Sequence, residues 1–286
     1  MKRMFHMFIK IRAYFVPSQT MRVVLLLLLI IGPLSAAQTI ISAGAAPLAA
    51  DTYVGTDAYK NLYFIDQMVF YKQGPDGHYE FKDFSLGSIS KIDLINPLKI
   101  MVFYQQTNTV LFLDNRLNEI ERINFNNLPE FINVSAVGNA GNNRLWLFNT
   151  DTQQLELYDY RVQRKTLVSQ PLEGALIDLA SNFNFCYLLF DDRLVSFNIY
   201  GSFLSEIEYT NGQQLAQLDE NVWLVDGTEL YFIAEPGLHS LQQPSTVKKI
   251  PLPEITIKQL HLTQDFLYIY DGKSLHLFSV KQPKKE

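Results

Sequence analysis

A pair of short strands joined by a polar turn recurs about six times along this 286-residue chain. The clearest copy runs from Arg144 to Val162. There the apolar run Leu145–Phe148 precedes the turn residues 149–152, and a second apolar pattern follows at Leu155–Tyr158. An apolar run too short for a helix, a cluster of turn-forming residues and a second run predict a β-hairpin. Such hairpins in register along the whole chain indicate a repeat architecture.

The copies align at the second residue of their first strand. At steps of 36 to 45 residues, the aligned residues are Tyr63, Val102, Trp146, Tyr187, Trp223 and Tyr268. This period is typical of propeller blades. Alternating runs such as Ile89–Leu94 and Ile255–Leu260 precede the hairpins, and more polar runs such as Tyr79–Phe84 and Ile120–Phe125 follow them. The sequence therefore predicts an all-β fold, a single β-propeller of about six four-stranded blades with charged outermost strands.

The last repeat has no fourth strand of its own, because the chain continues into a Lys-rich tail. We expect the N-terminal segment Gln38–Ala43 to supply that strand and close the ring, which removes the exposed sheet edges of an open array. The Ala-rich segment Gly44–Ala50 is then a loose connection to the first blade. A disordered leader is the alternative interpretation of Gln38–Ala43.

The first residues have the pattern of a secretory signal peptide. Five basic residues and no acidic one precede position 38, the apolar run Val23–Ile31 is followed by Gly32-Pro33, and small residues stand at Ser35–Ala37. This pattern predicts export, with cleavage after Ala37 and a periplasmic or extracellular mature protein. An uncleaved anchor is the alternative. The predicted organisation is a signal peptide over 1–37, a propeller over 38–280 and a polar tail over 281–286.

Composition and charge exclude several classes of protein. Hydrophobic residues make up 48% of the chain and aromatic residues 13%, which excludes a disordered protein. Without the predicted signal peptide, 19 basic residues face 29 acidic ones, a net charge near −10. Such a chain is a poor ligand for nucleic acid or anionic membranes, which need basic clusters. The nine-residue apolar run Val23–Ile31 is too short for a transmembrane span and is removed with the predicted signal peptide, and no transmembrane span is predicted in the mature chain.

Acidic residues recur in the turns between the second and third strands of the repeats. They are Asp66, Asp151, Asp191, Asp192, Asp226 and Asp271. In a propeller these turns share one face, and we expect them to converge toward the central channel. A ring of carboxylates there could bind a basic partner or a divalent cation. Turn chemistry is the alternative explanation, since Asp226-Gly227 and Asp271-Gly272 are hairpin-turn dipeptides.

The other reactive side chains favour structural roles. Cys186 is the only cysteine, so we interpret it as a buried small hydrophobe. The mature histidines form no metal pair, and Trp146 and Trp223 occupy matched strand positions that favour packing between blades over sugar stacking. Signatures of a nucleophile elbow, a zinc-protease helix, a phosphate loop and a dinucleotide site are absent from the sequence. We therefore predict no catalytic residue, no metal and no cofactor.

The aligned hairpins resemble those of bacterial six-bladed propellers of the broad NHL and PQQ-like kind, over about residues 53 to 280. The segments Asn96–Ile100 and Leu113–Glu119 also resemble exported propeller-like proteins of Bacteroidota. The Trp-Asp dipeptides of WD-repeat blades are missing. The resemblance implies export and a ring of sheets, and because fold does not imply function it transfers no active-site residue.

The sequence thus favours an exported, non-enzymatic propeller that acts as a protein-interaction or scaffold module. Its partner is expected to be an envelope or secreted protein, bound through the turn acids or the longer loop Ala234–Ser245. Two alternatives stay open. One is a hydrolase or lyase with a carboxylate or metal site in the central channel, and the other is a propeller that binds a small ligand or sugar. The oligomeric state stays open as well.

Overall fold

A computed structural model describes residues 39–75, 77–219, 221–234 and 246–281. These residues form 24 strands and two short 3₁₀ helices, Phe84–Leu86 and Phe125–Asn127. The strands make six separate four-stranded antiparallel sheets, which confirms the predicted all-β propeller of about six blades. In the described ranges, no helix is long and apolar enough to cross a bilayer. The predicted signal peptide, the loop at 235–245 and the tail at 282–286 lie outside the described residues.

In blades 1 to 5 the four strands pair in chain order, and contacts between the first strands of neighbouring blades place each first strand innermost. Blade 1 contains β2 (Thr52–Thr56), β3 (Leu62–Asp66), β4 (Val69–Gly74) and β5 (Gly77–Phe81). Blade 2 contains β6 (Lys91–Asp93), β7 (Ile100–Tyr104), β8 (Thr109–Leu113) and β9 (Glu119–Asn124). Blade 3 contains β10 (Val134–Gly141), β11 (Arg144–Asn149), β12 (Gln154–Asp159) and β13 (Arg164–Leu167).

The remaining blades repeat this plan. Blade 4 contains β14 (Leu176–Ser181), β15 (Phe185–Phe190), β16 (Arg193–Asn198) and β17 (Phe203–Glu208). Blade 5 contains β18 (Gln214–Leu218), β19 (Asn221–Asp226), β20 (Glu229–Ala234) and β21 (Thr246–Ile250). Blade 6 contains β22 (Gln259–Leu262), β23 (Phe266–Tyr270) and β24 (Ser274–Lys281), and its outermost strand is β1 (Thr39–Pro47).

The N-terminal strand closes the ring, as predicted. Its residues pair antiparallel with β24, from Thr39 opposite Lys281 to Pro47 opposite Ser274. The strand is longer than the predicted Gln38–Ala43, because a register shift between Ser42 and Gly44 lets pairing resume beyond it. The prediction that Gly44–Ala50 is a loose connection is therefore wrong for Gly44–Pro47. A β-bulge absorbs one extra residue without ending a strand pair.

Other strand boundaries also differ from the prediction. The first strand of blade 6 is β22, at Gln259–Leu262, and the predicted run Ile255–Leu260 overlaps it by only two residues. Ile255 and Ile257 belong to the connection before it and pack against the core. Their alternation reflects burial of a connection, because Pro251 and Pro253 nearby carry no N–H for a ladder. In blade 2, the inner strand shortens from the predicted Ile89–Leu94 to Lys91–Asp93.

The hydrophobic core consists of clusters that lie between neighbouring blades. Five such clusters join blades 1 and 2, 2 and 3, 3 and 4, 4 and 5, and 5 and 6. Blades 6 and 1 meet through aromatic side chains, where the Tyr53 ring lies 6.3 Å from that of Tyr268 and 6.4 Å from that of Tyr270. The second and third strands of each blade supply most buried residues, which explains why the hairpins dominate the sequence pattern.

The meander gives the ring two distinct faces. We call the upper face the one that carries the connections between the second and third strands of each blade and the connections between blades. The lower face carries the connections between the first and second strands and between the third and fourth. Because successive strands run antiparallel, these two sets of connections lie at opposite ends of each sheet.

Candidate functional site: the central channel

The inner strands surround a cavity of about 420 Å³ that is lined by residues of all six blades. The innermost strand of a blade has one edge without a strand partner, so its backbone groups need other hydrogen-bond partners. Polar side chains on neighbouring inner strands meet part of that need. The charged residues that line this cavity are Lys91, Asp93 and Asp178, with His261 as a further titratable group.

An ion pair crosses the channel from blade 2 to blade 4. Lys91 Nζ lies 3.0 Å from Asp178 Oδ1, and the two side chains are 38% and 17% exposed. Asp178 Oδ1 also accepts the backbone N–H of Leu179, and Oδ2 accepts that of Leu215 in blade 5 at 2.8 Å. One carboxylate therefore links three blades, and it neutralises the lysine charge.

A second carboxylate, that of Asp93, joins blade 2 to blade 3. Its Oδ2 accepts the backbone N–H of Asn139 at 3.0 Å, and its Oδ1 accepts that of Ile95 at 2.8 Å. Burial raises the pKa of Asp93, and the two backbone donors and the nearby Lys91 ammonium partly oppose that rise. Asp93 as a whole residue is half-buried, and it lines the channel cavity.

His261 joins blade 6 to blade 1. Its Nε2 lies 3.1 Å from the carbonyl oxygen of Thr56. A carbonyl only accepts, so Nε2 carries the proton and Nδ1 is an acceptor. Burial lowers the pKa of His261 to about 4, which keeps the imidazole neutral at physiological pH. Gly55 makes room for this ring, because a Cβ at Gly55 would lie 2.8 Å from Nδ1.

Two further polar atoms in the cavity wall have no hydrogen-bond partner. They are Ser181 Oγ and Gln259 Oε1, and both are buried. A buried polar atom without a partner costs free energy, so a group that supplies a hydrogen bond to it is stabilised there. Among the described residues, the cavity is lined by one cationic side chain, that of Lys91, which Asp178 neutralises.

The channel opens on the lower face into a second cavity of about 510 Å³. It shares Ser181 and His261 with the first cavity, and its wall includes the carboxylates of Asp57 and Asp219. Both acids lie in connections between first and second strands. The lower entrance therefore carries negative charge, whereas the ion pair of Lys91 and Asp178 lies nearer the upper ends of β6 and β14.

The six turn acids predicted from the sequence lie on the upper face but do not converge on the channel. None of them lines either channel cavity. Asp151, Asp191 and Asp192 are exposed, and Asp66, Asp226 and Asp271 are half-buried. The expectation of convergence is wrong, because the turns between second and third strands are separated from the axis by the inner strand of each blade.

The contacts of these acids are local. Asp151 accepts from Asn133 Nδ2 at 2.8 Å, Asp192 pairs with Arg193, and Asp226 accepts from Tyr209. Asp271 Oδ2 lies 2.7 Å from His276 Nε2. The hydrogen bond to His276, together with the bonds that Asp271 accepts from two backbone N–H groups, lowers the pKa of Asp271 to about 2. Gly227 and Gly272 have φ values of 61° and 100°, as the turn interpretation of the Asp-Gly pairs requires.

The upper-face connections carry nine acidic residues and three basic ones among the described residues. The acids are Asp51, Asp83, Glu130, Asp151, Glu173, Asp191, Asp192, Glu254 and Asp271, and the bases are Lys82, Lys258 and Lys273. The described lower-face connections carry four of each sign. Among the described residues, the upper face therefore has the larger excess of acid.

The remaining candidates have structural settings. Trp146 and Trp223 are buried between blades, as predicted, and Trp146 Nε1 donates to the Asn182 carbonyl of blade 4. Cys186 is fully buried, and burial raises the pKa of its thiol well above the ordinary value. Across the ranges that the structure describes, no cluster of three or more His, Cys, Asp or Glu side chains could hold a metal ion.

Sequence reasoning missed the channel residues. Asp93, Asp178 and His261 each stand between apolar neighbours in the strand that precedes a hairpin, as in Ile92-Asp93-Leu94, Ile177-Asp178-Leu179 and Leu260-His261-Leu262. The available signal was a charged or imidazole side chain between two apolar residues of an inner strand. This signal is weak, because inner strands hold fewer apolar residues than the hairpin strands and are harder to recognise in the sequence.

The geometry defines this molecule as a six-bladed β-propeller with a polar central channel. No family model matches the chain, and no curated protein matches it. Virginiamycin B lyase from Staphylococcus aureus is similar at 7% identity, with a TM-score of 0.59 over 86% of this chain and 100% of that one. A chain of the mitotic checkpoint complex is 9% identical, with a TM-score of 0.57 over 85% and 95%.

Luciferin-regenerating enzyme is also similar, at 14% identity and a TM-score of 0.52 over 86% of this chain and 98% of that one. Identities this low show a shared fold and nothing about activity. Two of these proteins are named as enzymes and one belongs to a multi-protein complex. The likeness therefore supports the propeller and favours neither an enzymatic nor a non-enzymatic role.

Proposed function

We propose that this propeller is a non-enzymatic interaction module that binds a basic protein partner on its upper face. The observation that carries the proposal is the excess of acid there, nine acidic residues against three basic ones in the described upper-face connections. These nine carboxylates are spread over eight connections around the ring, and no cluster among the described residues could hold a metal ion. Spaced charges on a rigid scaffold suit electrostatic recognition of an extended protein surface.

The proposal also includes the cellular compartment, because we propose that the protein is exported. The basic, apolar and small-residue segments at 1–37 support export with cleavage near Ala37, and an envelope or secreted protein as partner. The resemblance of Asn96–Ile100 and Leu113–Glu119 to exported propeller-like proteins agrees with it. Fractionation of cells that produce the full chain, followed by N-terminal sequencing of the mature form, tests this part. A cytosolic protein that begins at residue 1 would contradict it.

Site-specific photo-crosslinking tests the binding face. A photoreactive amino acid at Asp151 or Asp191 should give one discrete adduct in the producing cells, whereas one at Asp265, an exposed acid of the lower face, should give none. The triple variant D151K/D191K/D192K should lose an adduct formed from a neighbouring upper-face position, and D265K should keep it. Adducts from Asp265 alone, or none from any upper-face position, would overturn the proposal.

A further inference from the structure

A row of three charged residues crosses the lower end of blade 3. Arg144 of β11 lies directly opposite Asp159 of β12, and Asp159 lies opposite Arg164 of β13. Residues directly opposite each other in an antiparallel sheet project from the same face. The next row on that face contains Trp146 and Leu157, which pack against blade 4. The three charged side chains therefore face blade 4, at the lower end of the boundary between the two blades.

These three residues line one cleft of about 170 Å³ between blades 3 and 4. Blade 4 closes the cleft with the connection between β16 and β17, from which Ile199 and Tyr200 line it. The two arginines stand two strands apart, which places their backbones about 10 Å from each other. Because both long side chains line the same small cleft, a single small ligand there can contact both guanidinium groups.

The charged groups of the cleft do not neutralise one another by direct contact. Arg144 Nε is buried and has no hydrogen-bond partner. Asp159 uses Oδ1 to accept the backbone N–H groups of Arg161 and Val162 in its own turn. Within the described ranges, no salt bridge joins Asp159 to Arg144 or Arg164. A buried guanidinium N–H without an acceptor costs free energy, so an oxygen ligand is stabilised beside it.

The charge of the cleft differs from that of the chain as a whole. The chain has more acidic than basic residues. In the cleft two arginines face one aspartate, which leaves one net positive charge. Other parts of the wall are apolar and consist of Leu157, Val168 and Ile199. The cleft thus offers guanidinium donors beside an apolar surface.

We propose that this cleft binds a small organic acid, whose carboxylate accepts hydrogen bonds from Arg144 and Arg164. The apolar chain of the acid packs against Leu157 and Ile199. Guanidinium groups match the two oxygens of a carboxylate, and these charge-assisted hydrogen bonds are strong ones. A monoanion balances the single net positive charge that faces the cleft. The cleft is smaller than the roughly 300–1,000 Å³ of sites for drug-sized ligands, so the acid is a short one.

Four small probes, titrated into the purified full chain by calorimetry, test the chemistry of the site. Butyrate should bind more tightly than acetate, which lacks most of the apolar chain, and more tightly than 1-butanol, which lacks the charge. Monobutyl phosphate has the same chain with a charge of about −1.5 to −2 at neutral pH, and it should bind more weakly than butyrate.

Variants of the cleft test its position. R144Q and R164Q should each weaken butyrate by about tenfold or more, the loss expected for a charge-assisted hydrogen bond. D159N should strengthen butyrate, because asparagine keeps an oxygen for the turn and removes the competing negative charge. The matched control is R116Q, which changes an exposed arginine of another lower-face connection and should bind butyrate as the unmodified chain does.

Four results would each overturn the proposal. Equal losses in R144Q, R164Q and R116Q would indicate general electrostatics only. Equal binding of acetate and butyrate would remove the apolar contact, and tighter binding of monobutyl phosphate would make the ligand a phosphate. No binding of butyrate at millimolar concentration would exclude the site. R164Q changes an exposed residue, so it remains informative if R144Q does not fold.

Discussion

Trp146 of β11 lies directly opposite Gly138 of β10 in the sheet of blade 3. The same position in the other blades pairs the aligned hairpin residue with Gly55, Ile92, Ala180, Ala216 and His261. In blades 1, 3, 4 and 5 a glycine or alanine thus faces a large aromatic residue, and in blade 2 the larger Ile92 faces the smaller Val102. This exchange of volume keeps these five blades at similar thickness, whereas in blade 6 two large side chains, His261 and Tyr268, face each other.

We expect G138A to destabilise the propeller. A Cβ at Gly138 would lie 2.0 Å from Ser181 Oγ and 2.9 Å from Leu179 Cδ2 of blade 4, so blades 3 and 4 would have to separate. Overpacking of this kind costs about 1–3 kcal/mol. Urea unfolding measures the loss, and S181A is the matched background. The cost should shrink in G138A/S181A, and additive costs would show that the two residues do not interact.

The aligned hairpins could be predicted from the sequence for a physical reason. Their strands are buried on both faces between blades, so almost every residue of β7, β11 and β15 is apolar. Inner strands have a mixed pattern of polar and apolar residues, because they supply polar groups to the channel as well as apolar ones to the core. The position of β22 and the roles of Asp93 and His261 depend on which blades become neighbours, which no local pattern contains.

The Lys91–Asp178 pair should show unequal contributions from its two members. D178A leaves the Lys91 ammonium and the N–H groups of Leu179 and Leu215 without this acceptor, at a cost of about 2–4 kcal/mol. K91M leaves Asp178 with two backbone donors, and Lys91 is 38% exposed, so its cost should stay near 1 kcal/mol. Urea unfolding of both variants checks this order. Equal costs would mean that the backbone bonds of Asp178 contribute nothing.

His261 should make stability depend on pH between about 6.5 and 4. Its folded pKa is about 4 and its ordinary value is 6.5. Between these values the imidazole of His261 is protonated in the unfolded chain and neutral in the folded chain. The free energy of unfolding therefore falls as pH falls through this window, and it levels off below about pH 4. At about 1.4 kcal/mol per pKa unit, discounted because the ring is only half-buried, the effect is about 1–3 kcal/mol.

The variant H261Q isolates this term, because glutamine can donate to the Thr56 carbonyl but does not titrate. The unfolding free energy of H261Q should fall less than that of the parent as pH falls from about 6.5 to 4. Asp93 contributes with the opposite sign, since a raised folded pKa gives stability that is lost as pH rises. Both proteins contain Asp93, so the difference between the two curves removes its contribution. Parallel curves would show that His261 protonates freely in the folded chain.

Ring closure by β1 gives the last prediction. The chain from residue 38 retains the strand Thr39–Pro47, whereas the chain from residue 48 exposes the edge of β24 along its pairing with that strand. An unpaired edge of eight residues is a template for pairing with another molecule. We therefore expect the shorter chain to self-associate and to unfold at lower urea concentration, as measured by light scattering and circular dichroism. A synthetic peptide of residues 39–47 should restore the monomer by adding the missing strand, and a scrambled peptide should not. If the chain from residue 48 stays monomeric and as stable as the longer one, β1 does not hold the ring closed.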